Sequence, residues 1–171
     1  MNVTQSLQTL SRYLERVLKV FLALLMAAMV LDVTWQVITR FILGSPSAYT
    51  EELARFLLIW IGLLGAAYAY RRKAHLGLDI LSQKLEGSAA GRRLEIFISL
   101  VGILFASVIM IYGGLKLMWL TLELEQTSAA LQVKMGYVYS VIPLSGVLIV
   151  LFALDRIVNG DPDAEHLAYY E

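Results

Sequence analysis

The chain has 171 residues, 58% of them hydrophobic and only 16% charged, with 14 basic and 14 acidic side chains and no cysteine. A soluble domain carries about 25% charged residues, so the deficit points to lipid as the solvent. Zero formal charge argues against nucleic acid as a partner, and the missing cysteines exclude thiolate catalysis, thiolate metal sites and disulfide exchange.

A membrane helix needs roughly 20 mostly apolar residues, and four stretches qualify: about 17–43, 53–70, 94–122 and 135–154. The pattern predicts an all-α integral membrane fold, a single membrane domain over 1–171 with four transmembrane helices. Before the first span, Leu7, Leu10, Leu14, Val17 and Leu18 recur at helical spacing. They predict an amphipathic interfacial helix over 1–16 that runs into the span. A cleaved signal peptide is the rival reading of this start. The apolar run is longer than a usual signal core and lacks an Ala-x-Ala ending, so the first stretch is expected to stay.

Inside that span lies Asp32, where a carboxylate costs about 3 kcal/mol unless paired or hydrated. Gln36 and Arg40 follow at steps of four, with Thr39 beside them, so the spacing predicts one polar face turned toward other helices. Asp32 and Arg40 are about 12 Å apart along the axis and cannot pair directly; Gln36 is placed to relay between them. Two readings stand: a proton or cation site, or a buried polar contact that sets helix packing. Packing is favoured, because no other acidic residue falls at membrane depth.

The loop after the first span reads as a helix start, with Ser45 as N-cap and Pro46 at the first helical position. Glu51 stands four residues before Arg55 and Glu52 three, so either can pair with it on the helix surface. In the second span, which is short and expected to stand upright, Gly62, Gly65, Ala66 and Ala69 form a groove for close backbone approach. Beyond it, 74–90 is expected to rest on the membrane surface, with Leu78, Ile80, Leu81 and Leu85 opposing Asp79, Gln83, Lys84 and Glu86. His75 and Asp79 are four apart there, two ligands of a metal site without a third. The third span is long enough to tilt or project; Ser99, Gly102 and Ala106 give it a small-residue face, with Gly113 and Gly114 further along. Pro143 is expected to kink the fourth span, and 155–171 to form a tail.

Basic residues set the orientation. With the N-terminus in the cytoplasm, that side holds Arg12, Arg16, Lys19, Arg71, Arg72, Lys73, Lys84, Arg92, Arg93 and Arg156, against Arg40, Arg55, Lys116 and Lys134 outside. The positive-inside bias therefore places both termini in the cytoplasm. Tyr49, Trp119, Tyr137 and Tyr139 then fall near the outer interface. There is no Walker loop, nucleotide fingerprint, His-Glu-x-x-His or Gly-x-Ser-x-Gly in the chain. His75 and His166 are too few and too far apart for a haem held by paired imidazoles. These residues do not read as an enzyme, nor as a transport pathway with broken or repeated helices. They read as a scaffold or accessory subunit.

Three segments resemble the small membrane subunit, of DctQ/SiaQ type, of tripartite ATP-independent periplasmic (TRAP) transporters. They are Trp35-Gln-Val-Ile-Thr-Arg40-Phe; the run from Pro46 through Glu51, Glu52, Arg55 and Trp60 to Gly65, Arg71, His75 and Asp79; and the segment from Tyr137 through Pro143 to Gly146. Tyr49, where tryptophan is commoner, and Lys134, where an apolar residue or proline is commoner, depart from the pattern. The resemblance implies a bacterial inner-membrane subunit of a sodium-driven importer of organic acids. Its implied partners are a large membrane subunit, a periplasmic substrate-binding protein and lipids. Sodium and substrate would be bound by the large subunit, with no cofactor in this chain. The small subunit would enlarge the fixed scaffold against which the large subunit's transport domain moves as an elevator. On that footing Asp32, Gln36 and Arg40 would anchor the first helix to its neighbours or the large subunit. Glu51, Glu52 and Arg55 would set the outer boundary, and His75 and Asp79 would cap or orient the surface helix. The alternative is a self-sufficient small ion or multidrug transporter with Asp32 as its switching carboxylate.

Overall fold

A computed structural model of the chain describes residues 3–44, 47–72 and 89–160. The first helix, Val3–Phe41, is one unbroken rod of 39 residues, about 58 Å long. No glycine or proline occurs before Gly44, so nothing in the backbone stops the amphipathic start from continuing into the span. Its buried residues are Ser11, Leu18, Asp32 and Thr39, with Leu25 packed against the core. Those five positions are seven apart, the repeat that keeps one seam turned toward a neighbouring helix.

The second helix, Ala48–Arg71, takes Ser47 as its N-cap. The expected cap, Ser45, and Pro46 lie outside the described residues; the cap falls at Ser47 because its extended backbone lets its carbonyl accept the N–H of Glu51. This helix buries Leu64, Ala67, Tyr70 and Arg71. The third span, Gly91–Glu123, is α-helical over Ala89–Phe105, π-helical over Ala106–Gly113 and α-helical again over Gly114–Glu123. The fourth is divided into Met135–Tyr139 and Val141–Asn159. Pro143 accounts for the division, since it has no N–H for the Tyr139 carbonyl and its ring crowds that turn.

Four helices are long and apolar enough to cross a membrane, and among the described residues there is no strand beyond an isolated bridge of Thr127 and Lys134. The fourth helix is central and packs on the other three, while the first also packs along the second. Close approach is made by small residues. A Cβ at Gly114 would stand 2.8 Å from Ile142, and one at Gly146 would stand 2.8 Å from the Cβ of Met110. Gly102 receives the Tyr70 ring. Phe152, Leu64, Val141 and Ala153 fill the centre. Asn159 donates from its side chain to the Thr4 carbonyl at 3.2 Å, which brings the start of the first helix and the end of the fourth to one end of the bundle.

Candidate functional site

Polar side chains gather at the two ends of the bundle, and one lateral face of the second helix has no close neighbour at its glycines among the described residues. At the end holding the start of the first helix, Arg71 Nη1 donates to Asp155 Oδ2 at 2.7 Å and Nε donates to Glu15 Oε2 at 3.3 Å. The guanidinium also lies over the Phe152 ring. Arg72 reaches the other Glu15 oxygen at 2.8 Å, and Asn159 donates to Asp155 Oδ1 at 2.7 Å. Arg156 donates to the Tyr70 carbonyl at 2.9 Å and stacks on that ring. Arg92 donates to the Ile157 carbonyl at 2.8 Å, which brings in the third helix. The Arg71 and Asp155 side chains are each 3% exposed. Such a pair adds little net stability but fixes which helices meet and in what register.

Reading the sequence for function missed this network. Arg72 and Arg156 entered only as topology charges, Arg71 as one of those charges and as part of a resembling segment, and Glu15 and Asp155 did not enter at all. The available signal was an acid at the edge of each of two apolar runs, matched by the arginine pair ending a third.

The structure does not connect Asp32, Gln36 and Arg40. Asp32 is buried, and its Oδ2 meets no hydrogen-bond partner among the described residues. Gln36 is half-buried and Arg40 is exposed over the Phe41 ring. Each step of four residues advances about 40° around a helix, so two steps turn Arg40 off the seam that buries Asp32. Thr39, seven residues on, stays in the seam and donates to the Gln36 carbonyl at 3.0 Å. Asp32 is 17 residues from Glu15, about 25 Å along the axis, so it lies toward the opposite margin of a hydrocarbon layer roughly 30 Å thick.

At that opposite end, the two glutamates divide the work. Glu51 accepts from Arg55 at 2.9 Å, with side chains 65% and 70% exposed, a pair that contributes little. Glu52 instead accepts the backbone N–H groups of Ala129, Ala130 and Leu131 at 3.0, 2.9 and 2.6 Å. These anchor the loop between the third and fourth spans, where Gln132 holds a left-handed φ of 55°. Ser128 N–H donates to the Val133 carbonyl at 2.9 Å and Met135 N–H to that of Gln126 at 2.8 Å. Trp60 Nε1 donates to the Val138 carbonyl at 3.1 Å and its ring meets Phe21 edge-on. Glu52→Ala removes the acceptor of three donors at once. Amide exchange at Ala129, Ala130 and Leu131 should quicken by about tenfold or more, whereas Glu51→Ala leaves it unchanged; mass-spectrometric hydrogen exchange reads both.

Among the described residues, nothing packs closely on the glycines of the groove expected along Gly62, Gly65, Ala66 and Ala69. A Cβ at Gly62 or Gly65 would meet nothing within 4 Å, while the opposite face, with Leu64, Ala67 and Arg71, faces the core. Leu58 and Arg55 continue the stripe and are exposed. By contrast Gly102, Ala106 and Pro143 all lie in contacts between helices of this chain. His75 and Asp79 lie outside the described residues.

The model of the family described as tripartite ATP-independent periplasmic transporters, DctQ component, matches residues 29–162. The sialic acid TRAP transporter small permease protein SiaQ of Vibrio cholerae is 30% identical over 154 residues, 90% of this chain and 86% of that protein. The C4-dicarboxylate TRAP transporter small permease protein DctQ of Rhodobacter capsulatus is 32% identical over 106 residues, 61% of this chain and 45% of that one. The isethionate TRAP transporter permease protein DctMQ of Oleidesulfovibrio alaskensis is 31% identical over 133 residues, 74% of this chain but only 21% of that longer protein. The apolar four-helix architecture agrees with these matches, and the chain belongs to the DctQ family of TRAP transporter small membrane subunits.

Proposed function

We propose that this chain is the fixed scaffold of a sodium-driven, binding-protein-dependent importer of organic acids, with both termini in the cytoplasm of a bacterial inner membrane. The observation that carries the reading is a stripe on the second helix where Arg55, Leu58 and Gly62 are exposed, Gly65, Ala66 and Ala69 are half-buried, and a Cβ at either glycine would meet nothing within 4 Å among the described residues. In lipid, small residues bring no hydrophobic gain by themselves, and their advantage appears when another helix packs against them. The large membrane subunit is the partner that fits. In the DctMQ relative, the part similar to this chain is about a fifth of one longer polypeptide. The relatives' names give sialic acid, C4-dicarboxylate and isethionate, all organic acids, in keeping with that substrate class here. Substrate and sodium belong to the large subunit, and a soluble binding protein delivers the substrate. The network joining Glu15, Arg71 and Asp155 holds three helices in one arrangement, which suits a part that stays still while its partner moves.

Gly65→Leu fills the stripe without touching the core. It should lower co-purification of the large subunit at least about tenfold, while this chain alone stays folded. Unchanged complex yield would remove the stripe from the interface. Sodium-dependent uptake in proteoliposomes should need this chain, the large subunit and the binding protein together. Flux from this chain alone would overturn the scaffold reading and make the buried Asp32 carboxylate the centre of a transport mechanism.

A further inference from the structure

The third helix presents a lateral face of a different kind. Tyr112, Lys116, Trp119 and Glu123 follow at spacings of four, three and four, so they share one side of the helix. All four are exposed. Lys116 has no ion-pair or hydrogen-bond partner among the described residues.

Depth sets the surroundings of this lysine. Arg92 holds the Ile157 carbonyl at the other end of the bundle, and Lys116 is 24 residues beyond it, about 33 Å along the axis once the smaller rise of the π-helical stretch is allowed for. That exceeds a hydrocarbon layer of roughly 30 Å, so the ammonium lies in the headgroup layer with Trp119 and Tyr112 as interfacial aromatics. Glu123 is about 10 Å further out. The face thus carries a cation at the depth of lipid phosphates and an anion on the aqueous side of it.

We infer that this face binds the headgroup of an aminophospholipid, phosphatidylethanolamine, with its phosphate on Lys116 and its ammonium on Glu123. The order of charges matches, since the phosphate of that lipid is nearer the acyl chains than its amine. A headgroup carrying only negative charge would be repelled by Glu123. A choline headgroup has no N–H to donate to the carboxylate. Bulk also separates this face from the second helix: Tyr112 and Trp119 are 68% and 69% exposed, and such side chains hold another helix off while acyl chains mould around them.

The test uses the full chain assembled with its large permease subunit, with retained lipid counted by native mass spectrometry during titration with phosphatidylethanolamine or phosphatidylcholine. Wild type should prefer the ethanolamine lipid. Lys116→Gln should lower its retention about fivefold, the effect of one basic residue near a membrane surface. Glu123→Gln should abolish the preference for ethanolamine over choline, and Lys134→Gln should change neither. Equal retention of both lipids by wild type, or wild-type retention by Lys116→Gln, overturns the inference. So does a loss of the large subunit rather than of lipid, which would assign the face to a protein contact.

Discussion

Replacing Arg71 by alanine is expected to remove most of this subunit from the membrane. Among the described residues Arg71 is the only side chain hydrogen-bonded to both Glu15 and Asp155, and Asp155 is buried with it. Truncation leaves that carboxylate with the Asn159 amide alone among the described residues. Breaking a buried pair from one side costs about 3 kcal/mol or more, because the remaining charge is uncompensated. The measurement is the yield of monodisperse protein by size-exclusion chromatography, together with its melting temperature. The double variant Arg71→Met with Asp155→Leu should melt higher than Arg71→Ala, since no unpaired charge is left at that pair and Arg72 still holds Glu15. If the double variant melts no higher than the single one, the pair is not what joins the helices.

Gly146→Val should be the next most damaging change. Its Cβ would stand 2.8 Å from the Cβ of Met110, 3.0 Å from Ile111 and 3.2 Å from the Ala106 carbonyl oxygen. Two of those atoms cannot swing aside, so the third and fourth helices must separate along the π-helical turn. Overpacking of this kind costs about 1–3 kcal/mol. Met110→Ala should not rescue it, because alanine keeps the offending Cβ. Gly65→Val is the matched control, with nothing within 4 Å of the new methyl groups' root. A thermal unfolding series in detergent should show a marked drop for position 146 and almost none for position 65. Equal drops would mean that glycine flexibility, rather than contact, decides the outcome.

Small residues at helical spacing look alike in sequence whether they face a sister helix or nothing. Gly62 and Gly65 carry the same signal as Gly102 and Gly146, yet the first two have no close neighbour among the described residues and the last two are in contact. The polar stripe was legible in part. Asp32 stands out because a carboxylate is costly in an apolar run, and the structure buries it. Gln36 and Arg40, read onto the same face, turn progressively off it because steps of four drift around the helix, whereas the seam follows steps of seven. Glu51 and Glu52 were equivalent candidates for Arg55 on spacing alone. The third-to-fourth-helix loop, whose N–H groups point at Glu52 from 77 to 79 residues away, separates them.

What the sequence determined by itself was the solvent, the number of spans and the class of fold. Each of these follows from local apolar length, and a backbone in lipid can satisfy its hydrogen bonds in such a segment only as a helix. The segments around Trp35, Glu51 and Tyr137 also carried the family, which the match over residues 29–162 established. Only the tertiary structure decided which helix is central, which glycines are contacts, and that Arg71 joins Glu15 and Asp155 across 56 and 84 residues of chain. The reason is physical: lipid drives apolar segments into helices without choosing their neighbours, so the choice falls to close packing and to the few polar groups that need partners.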